Sequence, residues 1–360
     1  MDVERKPSPV LDLARPEGVA VEVDFAEAID VLMSIWAIGG RHDADTFDEG
    51  RSRLEELRDG VTPDLLAAIE ELTQGNEKIP AHLFGLVWKT PRPRTLAAFV
   101  DFLAATDPLE VQLHLLGYYT GGGEHGPSRE TVKAAAGGDA QAIAEVVDSL
   151  AEWPQACRTA EHLLELGAEG AKERLLTILP RWYDEVYVPN SADALVALER
   201  DAQAKRELAR TRSPEQLVEL ATNGVQYSPG PGISRIVLVP GYWQRPWVLM
   251  NEYKHVKIFC YPLALDHGDD GPTSAELARL YKALADEGRL RLLKRVSAGP
   301  MTLTEAAQEL GVAKSTAHHH LALLRAAGLV VTREVGDDKV YNLRRDLLPQ
   351  AGALLQTYVG

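Results

Sequence analysis

Apolar and polar positions alternate along most of the chain with the period of an α-helix. Apolar residues recur every three or four positions in six segments, which predicts helices at 47–59, 63–73, 94–105, 139–152, 155–179 and 192–210. Another helix is predicted at 25–38, after a short alternating stretch at 18–24 that is typical of a strand. From 233 onward the pattern becomes three runs rich in Val, Ile and aromatic residues, at 233–239, 247–252 and 256–263. Short turns separate these runs, so we expect a three-stranded β-meander.

A polar stretch at 265–272, with the sequence LDHGDDGP, divides the chain. Its glycines and proline break regular structure and indicate a domain boundary. The fold class that we predict is mainly α with small β elements (α+β). A large helical region at 1–266 senses a signal or mediates dimerisation, and the meander at 233–263 closes it. A linker at 267–273 leads to a second domain at 274–346, and a C-terminal helix follows at 347–360.

The second domain contains two short helices joined by a tight turn. Thr302 and Glu305 have the spacing of a capping box, which predicts that a helix begins at Leu303. Gly311 is suited to end this helix in the left-handed conformation. The next helix is predicted at 314–327. One stripe of it faces the core and consists of Ala317, His320, Leu321 and Leu324.

The other face of this helix carries hydrogen-bond donors: Lys314, Ser315, Thr316, His318, His319 and Arg325. Short donors at the start of the second helix of such a pair suit the edges of bases in a major groove. Two alternating runs follow at 329–334 and 339–343 around a polar turn, which predicts a β-hairpin. This order of elements indicates a winged helix-turn-helix, although a helix pair and hairpin used only for packing is the alternative.

Residues 277–343 resemble the ArsR-type winged helix-turn-helix repressors. Three stretches carry the resemblance: LARLYKALADEGRLRLL at 277–293, LTEAAQELGVAKSTAHHHLALLRAAGLV at 303–330 and REVGDDKVYNL at 333–343. The resemblance implies a homodimer that binds a pseudo-palindrome in double-stranded DNA and represses transcription until a small-molecule effector arrives. The long front half is similar to the N-terminal region of some actinobacterial regulators of this type.

This resemblance and the donor pattern select ten residues for contact with DNA. The base-reading candidates are Lys314, Ser315, Thr316, His318 and His319, and the flanking phosphate candidates are Arg325, Arg333, Lys339, Arg344 and Arg345. Two features differ from the usual pattern. Asp337 and Asp338 at the tip of the wing would repel phosphate, and Ala313 stands where a serine often caps the recognition helix. We expect Ser315 to replace that cap and to shift the start of the helix.

Metal sensing by the usual sites of this family is not expected. The family's metal sensors carry Cys-x-Cys where this chain reads Thr302-Leu303-Thr304, and the segment 347–359 has no pairs of Asp, Glu or His. Adjacent histidines on a helix, such as His318 and His319, point about 100° apart and do not share one ion comfortably. We therefore predict no cofactor and no metal.

The charge distribution changes what the composition alone suggests. The net charge of −15 argues against binding to nucleic acid. Residues 274–346, however, contain twelve basic and nine acidic side chains, so the acidic excess lies in the front region. Two cysteines give no disulfide framework. The N-terminus lacks the apolar run of a signal peptide, and we expect a cytoplasmic protein without a membrane segment.

Aromatic residues that have a polar handle concentrate at the end of the front region. Such residues commonly line small-molecule pockets, and they also form ordinary cores and dimer seams. The candidates for effector binding are Trp182, Tyr183, Tyr187, Tyr242, Trp243 and Trp247. The sequence shows no pairing of a nucleophile with a base, so we predict no enzyme. An enzyme or a protein-interaction platform with an accessory winged helix is the alternative function.

Overall fold

A computed structural model describes residues 19–40, 44–119, 126–230, 232–263, 274–335, 338–344 and 347–359. The predicted linker at 267–273, the tip of the wing around Asp337 and the phosphate candidate Arg345 lie outside these ranges. No helix in the described ranges has the length and apolar character needed to cross a membrane.

The N-terminal region is built from twelve α-helices among its described residues. They are α1 (Glu27–Ser34), α2 (Gly50–Asp59), α3 (Pro63–Thr73), α4 (Ile79–His82), α5 (Phe84–Lys89), α6 (Leu96–Ala105), α7 (Pro108–Leu115), α8 (Arg129–Ala136), α9 (Ala140–Ser149), α10 (Pro154–Trp182), α11 (Val188–Leu208) and α12 (Pro214–Ala221). All seven predicted helices are confirmed, with ends that differ by a few residues. Two π-helical turns, Ile35–Gly39 and Tyr183–Tyr187, continue α1 and α10. Gly167, with a φ of 72°, interrupts α10.

Four strands of the N-terminal region form one sheet in the order β1-β3-β5-β4. They are β1 (Ala20–Val23), β3 (Arg235–Gly241), β4 (Leu249–Tyr253) and β5 (Val256–Pro262). The three predicted strands at 233–263 are therefore present, but they do not form the meander. Strand β3 pairs in parallel with β5 instead of with its neighbour β4, and β1 pairs in parallel with β3. Nearly every residue of β3 is buried, as expected for a central strand in a parallel arrangement.

Helices cover both faces of this sheet, which explains why β3 and β5 are apolar on both sides. Val237 and Val239 belong to the larger core, together with side chains of α1, α3, α6 and α10. Ile236 and Leu238 point to the opposite face and join a second core with residues of α11 and α12. Successive side chains of a strand point to opposite faces, so a single strand contributes to both cores.

The C-terminal domain contains the helices and hairpin that the sequence predicts. Its elements are α13 (Ser274–Leu284), α14 (Glu287–Ser297), β6 (Met301–Thr302), α15 (Leu303–Leu310), α16 (Lys314–Ala326), β7 (Val330–Val335), β8 (Asp338–Leu343) and α17 (Leu347–Val359). Asp286 caps α14 by accepting a hydrogen bond from the backbone N–H of Arg289 at 2.8 Å. A compact apolar core joins these elements, and it includes Leu292, Ala306, Ala317, Leu321 and Leu324.

The sheet of this domain contains two strands that the sequence pattern did not predict, the two-residue β6 and a strand from the N-terminal region. Its order is β2-β7-β8-β6, and β2 (Val225–Ser228) comes from the N-terminal region. Strands β7 and β8 pair antiparallel, as predicted for the wing, whereas β2 pairs in parallel with β7. The two parts of the chain therefore share a sheet. Arg279 of α13 also forms an ion pair with Asp48 of the N-terminal region.

Candidate nucleic-acid interface

The first helix of the pair is fixed at both ends by local interactions. The hydroxyl of Thr302 accepts from the backbone N–H of Glu305 at 3.2 Å, and the Glu305 carboxylate accepts from the backbone N–H of Thr302 at 2.8 Å. This reciprocal arrangement is the predicted capping box. Gly311 ends α15 in the left-handed conformation, with φ 69° and ψ 35°. Residues 302–311 therefore determine where the turn begins, and with it the direction of α16.

The second helix, α16, presents its first turn to solvent. It begins at Lys314, and Ala313 is its N-cap with no side-chain hydrogen bond. The expectation that Ser315 replaces the cap and shifts the start is therefore wrong. The first backbone N–H groups of α16 are left without a side-chain acceptor from the cap position, which suits them to a phosphate oxygen. The five base-reading candidates on this helix are all exposed: Lys314, Ser315, Thr316, His318 and His319.

His320 and Ala317 occupy the opposite face of α16. Ala317 is fully buried, and His320 is half-buried with its Nδ1 atom 3.6 Å from the Asp286 carboxylate. Thr316, His318 and His319 lie next to them in the sequence but are exposed, because an α-helix turns about 100° per residue. The stripe that the sequence predicts is therefore present in α16.

The imidazole of His318 is electrically neutral at physiological pH. Burial by the surrounding protein, followed by the charges of Arg325, Lys339 and Lys78, lowers the pKa of His318 to about 4, although its side chain keeps an exposed edge. A neutral imidazole offers one donor and one acceptor nitrogen. His318 is therefore suited to hydrogen bonding with a base edge and unsuited to neutralising a phosphate.

The flanking candidates lie on α16, on both strands of the wing and just after β8. Arg333 on β7 and Lys339 on β8 are exposed, and Arg325 near the end of α16 is half-buried. Arg344 is also half-buried, and its guanidinium donates to the side-chain oxygen of Asn223 at 2.8 Å. Arg344 therefore has a structural partner in the N-terminal region, which the sequence pattern did not reveal.

The far end of α16 is less accessible than its beginning. Ala322 and Ala326 are buried, whereas the residues of the first turn are exposed.

Lys78 of the N-terminal region lies close enough for its charge to act on His318. Burial, followed by the charge of Lys339, lowers the pKa of Lys78. The N-terminal region thus adds positive charge beside the face that carries the base-reading candidates.

The pair α15 and α16, preceded by α13 and α14 and followed by the hairpin β7-β8, defines a winged helix-turn-helix domain. A family model described as a helix-turn-helix domain matches residues 284–333. The chain belongs to the ArsR-type family of winged helix-turn-helix transcriptional regulators.

Relatives of known name align with about a fifth of the chain. The transcriptional regulator NmtR of Mycobacterium tuberculosis is 36% identical over 74 residues, which are 21% of this chain and 62% of NmtR. The regulator CmtR of the same species is 40% identical over 81 residues, or 22% of this chain and 69% of CmtR. A SmtB homolog of Synechocystis, named as a transcriptional repressor, is 34% identical over 68 residues, or 19% of this chain and 52% of that protein. The chain thus spans less than two thirds of NmtR.

The six aromatic candidates for ligand binding lie around α1, the end of α10 and the loop after β3. Trp182, Tyr187 and Trp243 are almost completely buried. Their polar atoms donate to protein acceptors: Trp182 to Ser34 at 2.8 Å, Tyr187 to Asp30 at 2.8 Å and Trp243 to Ser191 at 3.2 Å. Side chains with satisfied polar groups and full burial are typical of a core.

The other three candidates, Tyr183, Tyr242 and Trp247, are half-buried. Tyr183 donates to Glu27 at 2.9 Å, and the guanidinium of Arg245 lies 4.0 Å from the ring centre of Tyr242. A cavity of about 20 Å³ next to Trp36, large enough for a single water molecule, includes none of the six. A groove of about 810 Å³ between α12 and the wing also includes none of them. Ligand binding by these aromatic residues remains a prediction.

Asp30 contacts two of the six aromatic candidates and gives a prediction for stability. Its carboxylate accepts from Tyr187 and from the backbone N–H of Tyr242 at 2.6 Å, but complete burial still raises the pKa of Asp30 to about 6. The native state thus holds this proton more tightly than the unfolded chain. The contribution of Asp30 to the free energy of unfolding should fall by about 3 kcal/mol as the pH rises from about 4 to about 6, and should stay low above that.

Asp30→Asn should remove this pH dependence, because an amide has no proton to lose in this range. Urea unfolding of wild type and variant between pH 4 and pH 7 would measure it, with the exposed Asp59→Asn as the control. The difference in unfolding free energy between wild type and Asp30→Asn should change with pH. A constant difference would contradict the raised pKa of Asp30.

The described residues contain no group of three or more His, Cys, Asp or Glu side chains arranged for a metal ion. Strand β2 is a structural element that the sequence pattern did not reveal. Its residues Val225 and Tyr227 are buried while Gln226 and Ser228 are exposed, so the alternating pattern of a strand was present in the sequence. Only four residues carry the pattern, and they directly precede a segment rich in glycine and proline, which breaks regular structure.

Proposed function

We propose that this protein is a sequence-specific DNA-binding transcriptional regulator that acts as an effector-responsive repressor. The observation that carries the proposal is the exposed donor face at the start of α16, on a domain whose family is that of ArsR-type regulators. The base-reading candidates enter the major groove of a DNA half-site. The N-terminal region responds to a small molecule. This response changes the relative positions of the winged helix-turn-helix domains of two protomers.

The proposed active form is a homodimer on a pseudo-palindromic operator. Helix α17 supports this because three of its apolar residues are exposed on one face: Leu355 at 41%, Tyr358 at 51% and Val359 at 76%. Residues three and four positions apart are neighbours on a helix surface. Leu354 meanwhile packs against the core of the domain, so α17 is anchored on one side and apolar on the other. We infer that a second copy covers this outer face.

Selection of bound sequences from random double-stranded DNA, with and without cell extract, tests the proposal. We expect enrichment of an inverted repeat whose half-sites are about 10 base pairs apart, or a multiple of one helical turn. We expect an extract that contains the effector to reduce the enrichment. Recovery of unenriched DNA in both conditions would contradict the proposal.

Arg333→Gln should weaken binding mainly through loss of one phosphate contact. Each neutralised phosphate contributes about 0.9 to the slope of log affinity against log salt concentration. We expect the slope to become shallower by about that amount, and the preferred sequence to remain unchanged. Fluorescence anisotropy with the selected operator from low to moderate salt would measure the slope. Lys133→Gln, on the exposed side of α8, is the matched control. Equal slopes for the two variants would show that Arg333 does not contact phosphate.

A further inference from the structure

Strand β2 belongs to both parts of the molecule at once. Its side chains pack in the N-terminal region, where Val225 and Tyr227 are buried in the core shared with α11 and α12. The ring of Tyr227 meets that of Phe259 edge to face, with the ring centres 5.2 Å apart. The backbone of β2, in contrast, pairs with β7 of the wing over four residues, from Val225 opposite Thr332 to Ser228 opposite Val335.

The two residues before β2 make close contacts with the wing. The side-chain oxygen of Asn223 accepts from Arg344, which directly follows β8. Gly224 has a φ of +111°, and a Cβ atom at this position would lie only 2.7 Å from Cγ1 of Val331 on β7. Non-bonded carbon atoms do not approach so closely, and the buried, β-branched Val331 has few alternative rotamers, so a side chain at 224 would displace Val331 and the strand β7 that carries it. Both contacts are made between structured elements and do not involve the predicted linker.

We infer that Asn223, Gly224 and strand β2 position the wing for contact with DNA, so that the N-terminal region contributes to operator binding by holding the wing in place. This inference rests on the proposed function. Gln226 of β2 lies opposite Arg333, and β7 in turn pairs with β8, which carries Lys339. A displacement of β2 is therefore transmitted through backbone pairing to both phosphate candidates of the wing. A rearrangement of the core around Tyr227 would move the wing by the same route.

Gly224→Ala tests the inference in the full-length chain. The matched control is Gly138→Ala, because Gly138 also has a positive φ, of +90°, but an added methyl group there would have no neighbouring atom within 4 Å. Both variants strain the backbone in a similar way, and only the first displaces β7. We expect operator binding to weaken about tenfold for Gly224→Ala and to change less than about twofold for Gly138→Ala.

Hydroxyl-radical footprinting separates a displaced wing from a general loss of folding. The nucleotides contacted by α16 should remain protected in Gly224→Ala, whereas the flanking protection, of the backbone contacted by the wing, should be reduced.

A second pair of variants addresses the contact with Arg344. Asn223→Asp keeps an acceptor oxygen for Arg344 and should keep the flanking protection, whereas Asn223→Gly keeps the backbone freedom but loses the acceptor and should reduce that protection.

Engineered cysteines at the paired positions 225 and 332 test the contact itself. The variant Val225→Cys/Thr332→Cys in a Cys157→Ser background should form a disulfide, because paired strands lie about 4.8 Å apart and disulfides span similar distances. The oxidised protein should retain operator binding. Absence of the disulfide, or equal affinity and footprint for the two glycine variants, would overturn the inference while the wild type still binds DNA. A wild type that does not bind would overturn the proposed function as well.

Discussion

Lys314→Glu should weaken operator binding by more than about 100-fold, because it reverses a charge in the first turn of the helix that we place in the major groove. Lys314 is exposed, so its substitution should leave the core of the domain intact. A glutamate at this position would interact favourably with the positive end of the helix dipole, so the variant should unfold at the same temperature as the wild type or slightly above it. Gel-shift titration and thermal unfolding would measure the two properties.

The control for this experiment is Lys133→Glu, which makes the same charge change on an exposed helix of the N-terminal region. Its operator affinity should remain close to that of the wild type, with a small loss from the added negative charge. If Lys314→Glu and Lys133→Glu bind equally well, the first turn of α16 does not meet DNA.

The double variant Leu355→Ser/Tyr358→Ser should convert a dimer into a monomer and reduce affinity for the full operator by at least about 100-fold. Both side chains lie on the apolar outer face of α17, and the substitution removes apolar area without changing charge. A monomer contacts one half-site at a time, so it loses the contribution of the second. Sedimentation velocity would give the oligomeric state, and anisotropy would give the affinity.

Binding to a single half-site distinguishes loss of the dimer from damage to the domain. The variant should bind an isolated half-site with the affinity of a single wild-type domain. It should lose only the additional affinity that the dimer has for the full operator. Val196→Ser, on an exposed position of α11 with 62% of the side chain accessible, is the matched control and should leave the dimer intact. A variant that stays dimeric would show that α17 is not the interface.

The sequence is most informative where short-range chemistry determines the structure. Thr302, Glu305 and Gly311 lie within about three helical turns of one another, and each acts on the backbone next to it. For this reason, the local sequence is enough to predict α15, the turn that follows it and the buried stripe at the start of α16. The prediction failed at Ser315, because the helix begins at Lys314 without a side-chain cap.

Pairing between distant segments could not be predicted in the same way. The sequence pattern predicts the runs that form β3 and β5, but not which strands pair. Backbone hydrogen bonds are the same for almost every residue type, so the sequence does not specify the partner of a strand. The parallel pairing of β3 with β5 contradicts the predicted meander. The pairing of β2 with β7 joins segments about a hundred residues apart. The burial of the aromatic candidates could not be predicted for the same reason. The hydrogen-bond acceptors of Trp182 and Tyr187 lie on α1, far away in the sequence.

The exposed face at the start of α16 is the surface that we propose to contact base pairs, and site-specific photo-crosslinking tests this contact most directly. A photoreactive residue at position 319, with position 133 as the control, would be irradiated in the presence of the selected operator. We expect crosslinks from position 319 to bases within both half-sites, about 10 base pairs apart or one helical turn further, and none from position 133. Bound DNA that crosslinks from neither position, or equally from both, would contradict the proposed contact.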